Sequence, residues 1–187
     1  SPLSRLAAAC LFASLAAFTA TGCATPGATM SHDAPTTAAD GPAWSTPQRL
    51  EALCTERLAS ATRTRDALKM MSGPRTVENT LVPFNAMMVT LQPAGGWAGL
   101  MFNVHPDEAV RKAAQECQQT LSRFETDISL DRGLYDALAA VDVSGADATT
   151  QRYQEVLLTD FRRSGVDKDD ATRARLAAIQ ERLVDLN

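Results

Sequence analysis

The sequence predicts an all-α protein, a multi-helix antiparallel array. Alanine and leucine dominate the 187 residues and aromatic residues make up only 5%, which favours helix over sheet. Apolar residues recur at spacings of three and four along several segments, and no segment alternates apolar and polar residues over a sustained run. Because 45% of the residues are apolar, a sizeable core can be buried.

The clearest predicted helix lies within residues 101–135. Its apolar side consists of Val110, Ala113, Cys117, Leu121, Phe124 and Ile128, and polar residues fill the positions between them. Pro106 suits a first helical turn because its missing N–H would have no helical partner. Asp107 and Glu108 place negative charge where the helix dipole favours it. We therefore expect a long amphipathic helix around which the other segments pack.

Residues 1–22 have the pattern of a secretory signal peptide. Arg5 precedes an apolar run over residues 6–20, and that run is too short for a comfortable transmembrane span. Gly22 and Cys23 then resemble the end of a bacterial lipobox, in which the cysteine is lipidated; an ordinary secretory signal cleaved nearby is the alternative. Lipidation of Cys23 predicts a membrane anchor in the bacterial cell envelope, with the protein facing the periplasm.

Residues 24–44 predict a flexible linker because they are rich in Ala, Thr, Pro, Gly and Asp and show no period. His32 lies in this linker, where a lone histidine is expected to be solvated. The helical region is predicted to span residues 45–187 and to be truncated at its C-terminus. The first residue, Ser1, is not a translation start, which also indicates a partial sequence.

Two helices are predicted before residue 101. The first begins at a cap formed by residues 45–47, and its apolar side is Leu50, Leu53, Cys54, Leu58 and Ala61. The second begins near Thr76, and Pro83 either delays its start or kinks it. Residues 92–96, which include Pro93 and two glycines, predict a break, followed by a short segment over residues 97–104.

Three further helices are predicted after Leu130. A turn at residues 131–133 precedes a brief helix, and a second turn at residues 144–147 precedes a helix whose apolar side is Tyr153, Val156, Leu157 and Phe161. Gly165 is typical of a glycine C-cap, with Val166 placed for the accompanying apolar contact. The last helix begins near Asp169 or Asp170 and carries Leu176, Ile179, Leu183 and Leu186 on one face.

Few residues point to catalysis. The two histidines, His32 and His105, are far apart, so no HExxH zinc pair exists in this sequence. The cluster of His105 with residues 106–108 is more typical of a helix entry than of a site. Arg162 and Arg163 either bind an anion or, as we favour, complement a helix dipole. A net charge of −4 without a basic block argues against a nucleic-acid partner.

Cysteine usage leaves one structural question open. Removal of the signal peptide and lipidation of Cys23 leave Cys54 and Cys117, both on apolar helix faces. An oxidising compartment permits a disulfide between them, but their separation cannot be read from sequence. The sequence favours two buried thiols.

Four segments, in this order, resemble the N-terminal helical region of the thimet oligopeptidase family of zinc metallopeptidases. They are residues 76–87, 105–138, 157–166 and 172–183, and the first includes Glu78-Asn79-Thr80 before a helix. The resemblance implies an all-helical enzyme with two lobes flanking a channel that admits short peptides. It also implies zinc held by the histidines of HExxH and a downstream glutamate. No residue of this sequence matches those positions, so no catalytic or metal residue is assigned.

Two hypotheses follow. In the first, the chain is the N-terminal fragment of a lipid-anchored zinc metalloendopeptidase or oligopeptidase, monomeric at full length, and forms part of the substrate channel. The fragment alone is then predicted to be inactive and to bind no zinc. In the second, it is a freestanding helical lipoprotein with a binding or structural role. A bundle carrying haem or metal lacks ligands and is set aside.

Overall fold

Helices form the whole of the regular structure that the computed structural model describes, which covers residues 42–186. The six α-helices are α1 Pro47–Met70, α2 Val82–Val104, α3 Glu108–Ser129, α4 Arg132–Ala139, α5 Ala148–Ser164 and α6 Asp170–Asp185. Within residues 42–186 there is no strand. The prediction of an all-α fold is confirmed.

Helices α1, α2 and α3 form the centre of the fold. Gly95 of α2 lies opposite Leu121 of α3, and Gly99 lies opposite Gln118, so the two helices run antiparallel. Cys54 of α1 is bonded to Cys117 of α3, and Arg65, further along α1, lies over the ring of Phe124, further along α3, so these two helices run parallel. The large core side chains of the three helices are buried together, among them Leu68, Phe84, Met87, Leu91, Leu121 and Phe124. The amphipathic helix predicted around Val110–Ile128 is thus present as α3.

A disulfide joins α1 to α3. Cys54 and Cys117 are bonded, with their Cα atoms 5.9 Å apart, and both are buried. The expectation of two buried thiols was therefore wrong. Both cysteines do lie on apolar helix faces, as predicted, but the parallel packing of α1 and α3 brings those faces together at the same height, which sequence spacing alone does not reveal.

Helix α2 continues through the segment predicted as a break. Pro93 lies inside the helix and on its exposed side, whereas Ala94 and Ala98 are fully buried. A Cβ atom added to Gly99 would lie 3.3 Å from Nε2 of Gln118, so the glycine backbone packs closely against α3. This close packing offsets the low helix propensity of proline and glycine. The predicted break at residues 92–96 and the separate segment at 97–104 are both wrong.

The predicted irregularity at Pro83 is present as a delayed start. A π-helical turn, Val77–Leu81, precedes α2, and Pro83 occupies the first turn of α2 itself, where its missing N–H removes no helical bond. Thr76 and Asn79 cap the π turn reciprocally: the Asn79 N–H donates to Thr76 Oγ1 at 3.2 Å, and the Thr76 N–H donates to Asn79 Oδ1 at 2.8 Å.

Helices α4 and α5 close one side of the core. Buried Gln154 of α5 donates hydrogen bonds from Nε2 to the carbonyls of Leu138 and Val141, at 3.0 and 2.8 Å, which satisfies the C-terminal end of α4. The Phe161 ring lies 6.1 Å from that of Phe84 and 6.1 Å from that of Tyr135. Val156, predicted on the apolar side of this helix, is instead 40% exposed.

Gly165 ends α5 as predicted. Its φ of +98° is left-handed, its N–H and that of Val166 donate to carbonyls of the last turn, and Val166 is fully buried. A Cβ at Gly165 would also clash with Leu176 Cδ1, which packs over the turn. Helix α6 begins at the predicted position, capped by Asp169, and lies along α3 with none of its residues buried. Apart from Leu176, the predicted apolar face of α6 is exposed; its other members are Ile179, Leu183 and Leu186.

Candidate functional site

The cluster at residues 105–108 forms the entry to α3. His105 Nδ1 accepts a hydrogen bond from the Asp107 N–H at 3.1 Å, and Asp107 Oδ1 accepts one from the Ala109 N–H at 2.8 Å. Arg111 donates to the carbonyls of His105 and Pro106, at 2.7 and 2.9 Å. These bonds order a short loop and cap a helix, as the sequence indicated, but Pro106 precedes the cap residue Asp107 and does not lie in the first helical turn as predicted.

Zinc does not fit the described part of the chain. No group of three or more histidine, cysteine, aspartate or glutamate side chains within residues 42–186 is arranged to hold a metal ion. The two cysteines in this range are consumed by the disulfide, and His105 is used in the helix entry. His32 and Cys23, with the predicted lipidation of the latter, lie outside the described residues. No chemical step can therefore be assigned to a metal here.

The two arginines at the end of α5 contact neighbouring side chains. Arg162 donates to Thr159 Oγ1 at 3.0 Å and to the Tyr135 hydroxyl at 3.4 Å, and Arg163 lies 3.4 Å from Asp160 Oδ1. Both occupy the last turn, where a positive charge complements the helix dipole. The geometry supports the dipole interpretation of these residues.

Several grooves within the described residues offer room for a ligand. One, of about 610 Å³, lies between α3 and α6 and is bordered by side chains that include Glu125, Leu130, Leu176 and Gln180. Another, of about 280 Å³, lies between the π turn and α5 and includes Tyr153, whose pKa is raised by burial.

An exposed apolar face runs along the whole of α2. It consists of seven exposed residues at spacings of three and four: Val82, Ala86, Val89, Pro93, Gly96, Leu100 and Val104. We call this set the outer stripe of α2. The large members are 47–62% exposed, and they lie on the side of the helix opposite the core residues Met87 and Leu91. No residue from Val82 to Val104 is charged.

The sequence interpretation missed the outer stripe because it divided this segment at Pro93. The signal was present: apolar residues at helical spacing on two opposite faces, without a charged residue between them. A helix that is apolar on all sides is typical of the interior of a larger protein or of a membrane span. Among residues 42–186, no helix has the length and hydrophobicity required to cross a membrane.

Comparison with known proteins finds partial similarity to peptidases. The chain is 28% identical over 120 residues to the mitochondrial intermediate peptidase of Mus musculus, a match that covers 62% of this chain and 16% of the mouse protein. It is 32% identical over 95 residues to mitochondrial intermediate peptidase 1 of Cryptococcus neoformans, covering 46% of this chain and 12% of the fungal protein. No protein-family profile matches the chain.

These low-identity matches support the peptidase family that the ordered segments resemble. The all-helical architecture agrees with that relationship, and the chain matches less than a fifth of the length of these relatives. The comparisons thus indicate a peptidase-related fragment.

Proposed function

We propose that this chain is the N-terminal helical part of a zinc-dependent metallopeptidase that hydrolyses short peptides. The partial similarity to mitochondrial intermediate peptidases is the observation that carries the proposal. Because no cluster of three or more possible zinc ligands lies within residues 42–186, the catalytic HExxH motif would belong to another part of the polypeptide. The described helices would form part of the wall of the substrate channel. The full-length enzyme is expected to be a monomer.

We further propose that the enzyme is anchored in the bacterial cell envelope through lipidated Cys23. The disulfide between Cys54 and Cys117 supports this location, because such bonds persist in oxidising compartments such as the periplasm. The linker over residues 24–44 would separate the helical region from the membrane. Metabolic labelling with a palmitate analogue, compared between the natural protein and Cys23→Ala, tests the anchor.

The intact mass of the protein from its source cells tests the peptidase proposal. An antibody to the segment 110–124 would capture the polypeptide, and mass spectrometry would measure it. A mass several times 20.0 kDa, with HExxH in the remainder and one zinc ion per chain, is expected. Replacing the glutamate of that motif by glutamine should abolish hydrolysis of short peptides without loss of zinc. A complete protein of 20.0 kDa or less, apart from lipid, would contradict the proposal.

The alternative is a freestanding helical lipoprotein with a binding or structural role. One observation favours it: the described helices enclose a core of their own, closed by a disulfide between α1 and α3. Under this alternative the native mass stays near that of the present chain, and neither zinc nor peptidase activity accompanies the purified protein.

A further inference from the structure

We propose that the outer stripe of α2 is an interface for an uncharged, apolar α-helix from the remaining part of the same polypeptide. This inference rests on the proposed function, because it requires the longer peptidase chain. It assigns α2 a place in the interior of that enzyme rather than at its surface.

The exposure of the stripe is the first argument. Val82, Val89, Leu100 and Val104 are 55%, 49%, 47% and 62% exposed, and they lie in one line along a 23-residue helix. A contiguous apolar surface of this extent is unusual on a soluble protein unless another element covers it.

The absence of charge identifies the chemistry of the partner. Between Val82 and Val104 the only polar side chains beside the stripe are uncharged, and Asn85, Gln92 and Asn103 lie along one edge of it. A charged partner helix would find no counter-charge on α2 itself, and burying its charges would be costly. A helix with an apolar seam and amide or hydroxyl side chains at its edge is the complementary surface.

Gly96 provides the independent second argument. It lies near the middle of the stripe, and a Cβ added to it would meet nothing within 4 Å. Glycine inside a helix is destabilising relative to alanine, and no contact in the described structure requires it at this position. A glycine on an otherwise apolar face lets a second helix approach the backbone closely, which is the role of small residues at helix crossings.

The length of the related proteins points to a segment of the same chain as the occupant. The shared segments cover only 16% and 12% of the two peptidases, so most of such a protein lies elsewhere in its sequence. A membrane surface is disfavoured because helices that lie in the interface carry a strongly charged face, often with lysine and arginine. Helix α2 has no such face.

Cysteine labelling of the complete protein tests the interface. Val89→Cys and Leu100→Cys place thiols on the outer stripe, and Lys112→Cys, whose side chain is 76% exposed on α3, is the matched control. With a water-soluble maleimide under native, non-reducing conditions, we expect both stripe thiols to react at least about tenfold more slowly than the control. The labelling is done on the Cys23→Ala form, which carries no lipid, and light scattering in detergent-free buffer establishes that this form is a monomer.

Three results would overturn the inference. These are equal labelling of the stripe and control thiols, protection that appears only in a dimer, and protection that appears only on vesicles of phosphatidylethanolamine and phosphatidylglycerol.

Gly96→Leu gives a second readout in the complete protein: it should lower the midpoint of thermal unfolding although it raises helix propensity, whereas Glu116→Leu on α3 should not. Native mass and zinc content test the peptidase proposal independently of the labelling experiment. A failure of the peptidase proposal is therefore distinguishable from a failure of the interface proposal.

Discussion

Helices α2 and α3 are neighbours of nearly equal length, 23 and 22 residues, yet they are built on different patterns. Helix α3 has one apolar side, and its exposed positions include Glu108, Lys112, Glu116 and Glu125. Helix α2 is apolar on both sides and carries no charge. The outer side of α3 is polar and is therefore hydrated in the described structure. The outer side of α2 is apolar and is shielded from water only when a second layer of protein covers it. The chain thus contains one helix with the residue pattern of a surface helix and another with the residue pattern of an interior helix.

The largest expected effect concerns the attachment of α3. Replacing Cys54 and Cys117 together by alanine removes a cross-link that closes a loop of 63 residues, and we expect a loss of about 4 kcal/mol of stability. Urea unfolding followed by circular dichroism measures this loss. Dithiothreitol should destabilise the natural protein and leave the double variant unchanged. Equal sensitivity of the two proteins to the reductant would contradict the structural role of the disulfide.

The two faces of α2 should respond differently to truncation. Met87→Ala empties a site that is 2% exposed and should cost about 3 kcal/mol. Val89→Ala, at a site that is 49% exposed, should cost less than about 0.5 kcal/mol in the present chain. Urea midpoints of the two variants measure the difference. Similar losses at both positions would show that the outer face is already covered in this chain.

Two glycines of α2 offer a finer comparison. In the present chain Gly96→Ala should stabilise the protein by about 1 kcal/mol, because the added Cβ meets open space in a helix. Gly99→Ala should gain less, since its Cβ would lie 3.3 Å from the Gln118 side chain, which must move. Thermal unfolding of the paired variants measures both effects. A larger gain at Gly99 than at Gly96 would argue against the described packing of α2 on α3.

The smallest expected effect is a difference in pH response between α2 and the last two helices. The cap carboxylates Asp147 and Asp169 have lowered pKa values; hydrogen bonds from the Thr150 side chain and from the Thr172 backbone N–H are the respective main causes. Since a lowered pKa stabilises the folded state only while the carboxyl is ionised, this contribution is present above the ordinary value of 3.8 and is lost as the pH falls below it.

Hydrogen exchange at pH 6 and pH 3 measures that response. Protection of α5 and α6 should decrease at the lower pH relative to α2, which has no ionisable side chain. Asp147→Asn preserves a capping oxygen but cannot titrate, so it should reduce the pH dependence of α5. A uniform loss of protection across all helices would indicate that the caps contribute little to the acid response.

Local signals predicted much of this fold, and tertiary contacts explain what they missed. The capped start at residues 45–47, the start of the last helix near Asp169 or Asp170, the glycine end at Gly165 and the amphipathic pattern of α3 depend on neighbouring residues, and the structure confirms them. The course of α2 through Pro93 depends on packing against α3, which sequence spacing does not contain. The pairing of Cys54 with Cys117 depends on the relative height of two helices distant in sequence. The signal peptide and lipid anchor remain predictions.

The cross-link between α1 and α3 also determines how the protein would respond to a protease. The loop that it closes, from Cys54 to Cys117, contains the end of α1, the exposed turn at residues 72–74 and the whole of α2. A single cut at that turn would divide the chain, yet both pieces would stay covalently joined. Helix α2 would then remain tethered by its attachment to α3, so a nicked molecule would retain both halves of its core while the disulfide is intact.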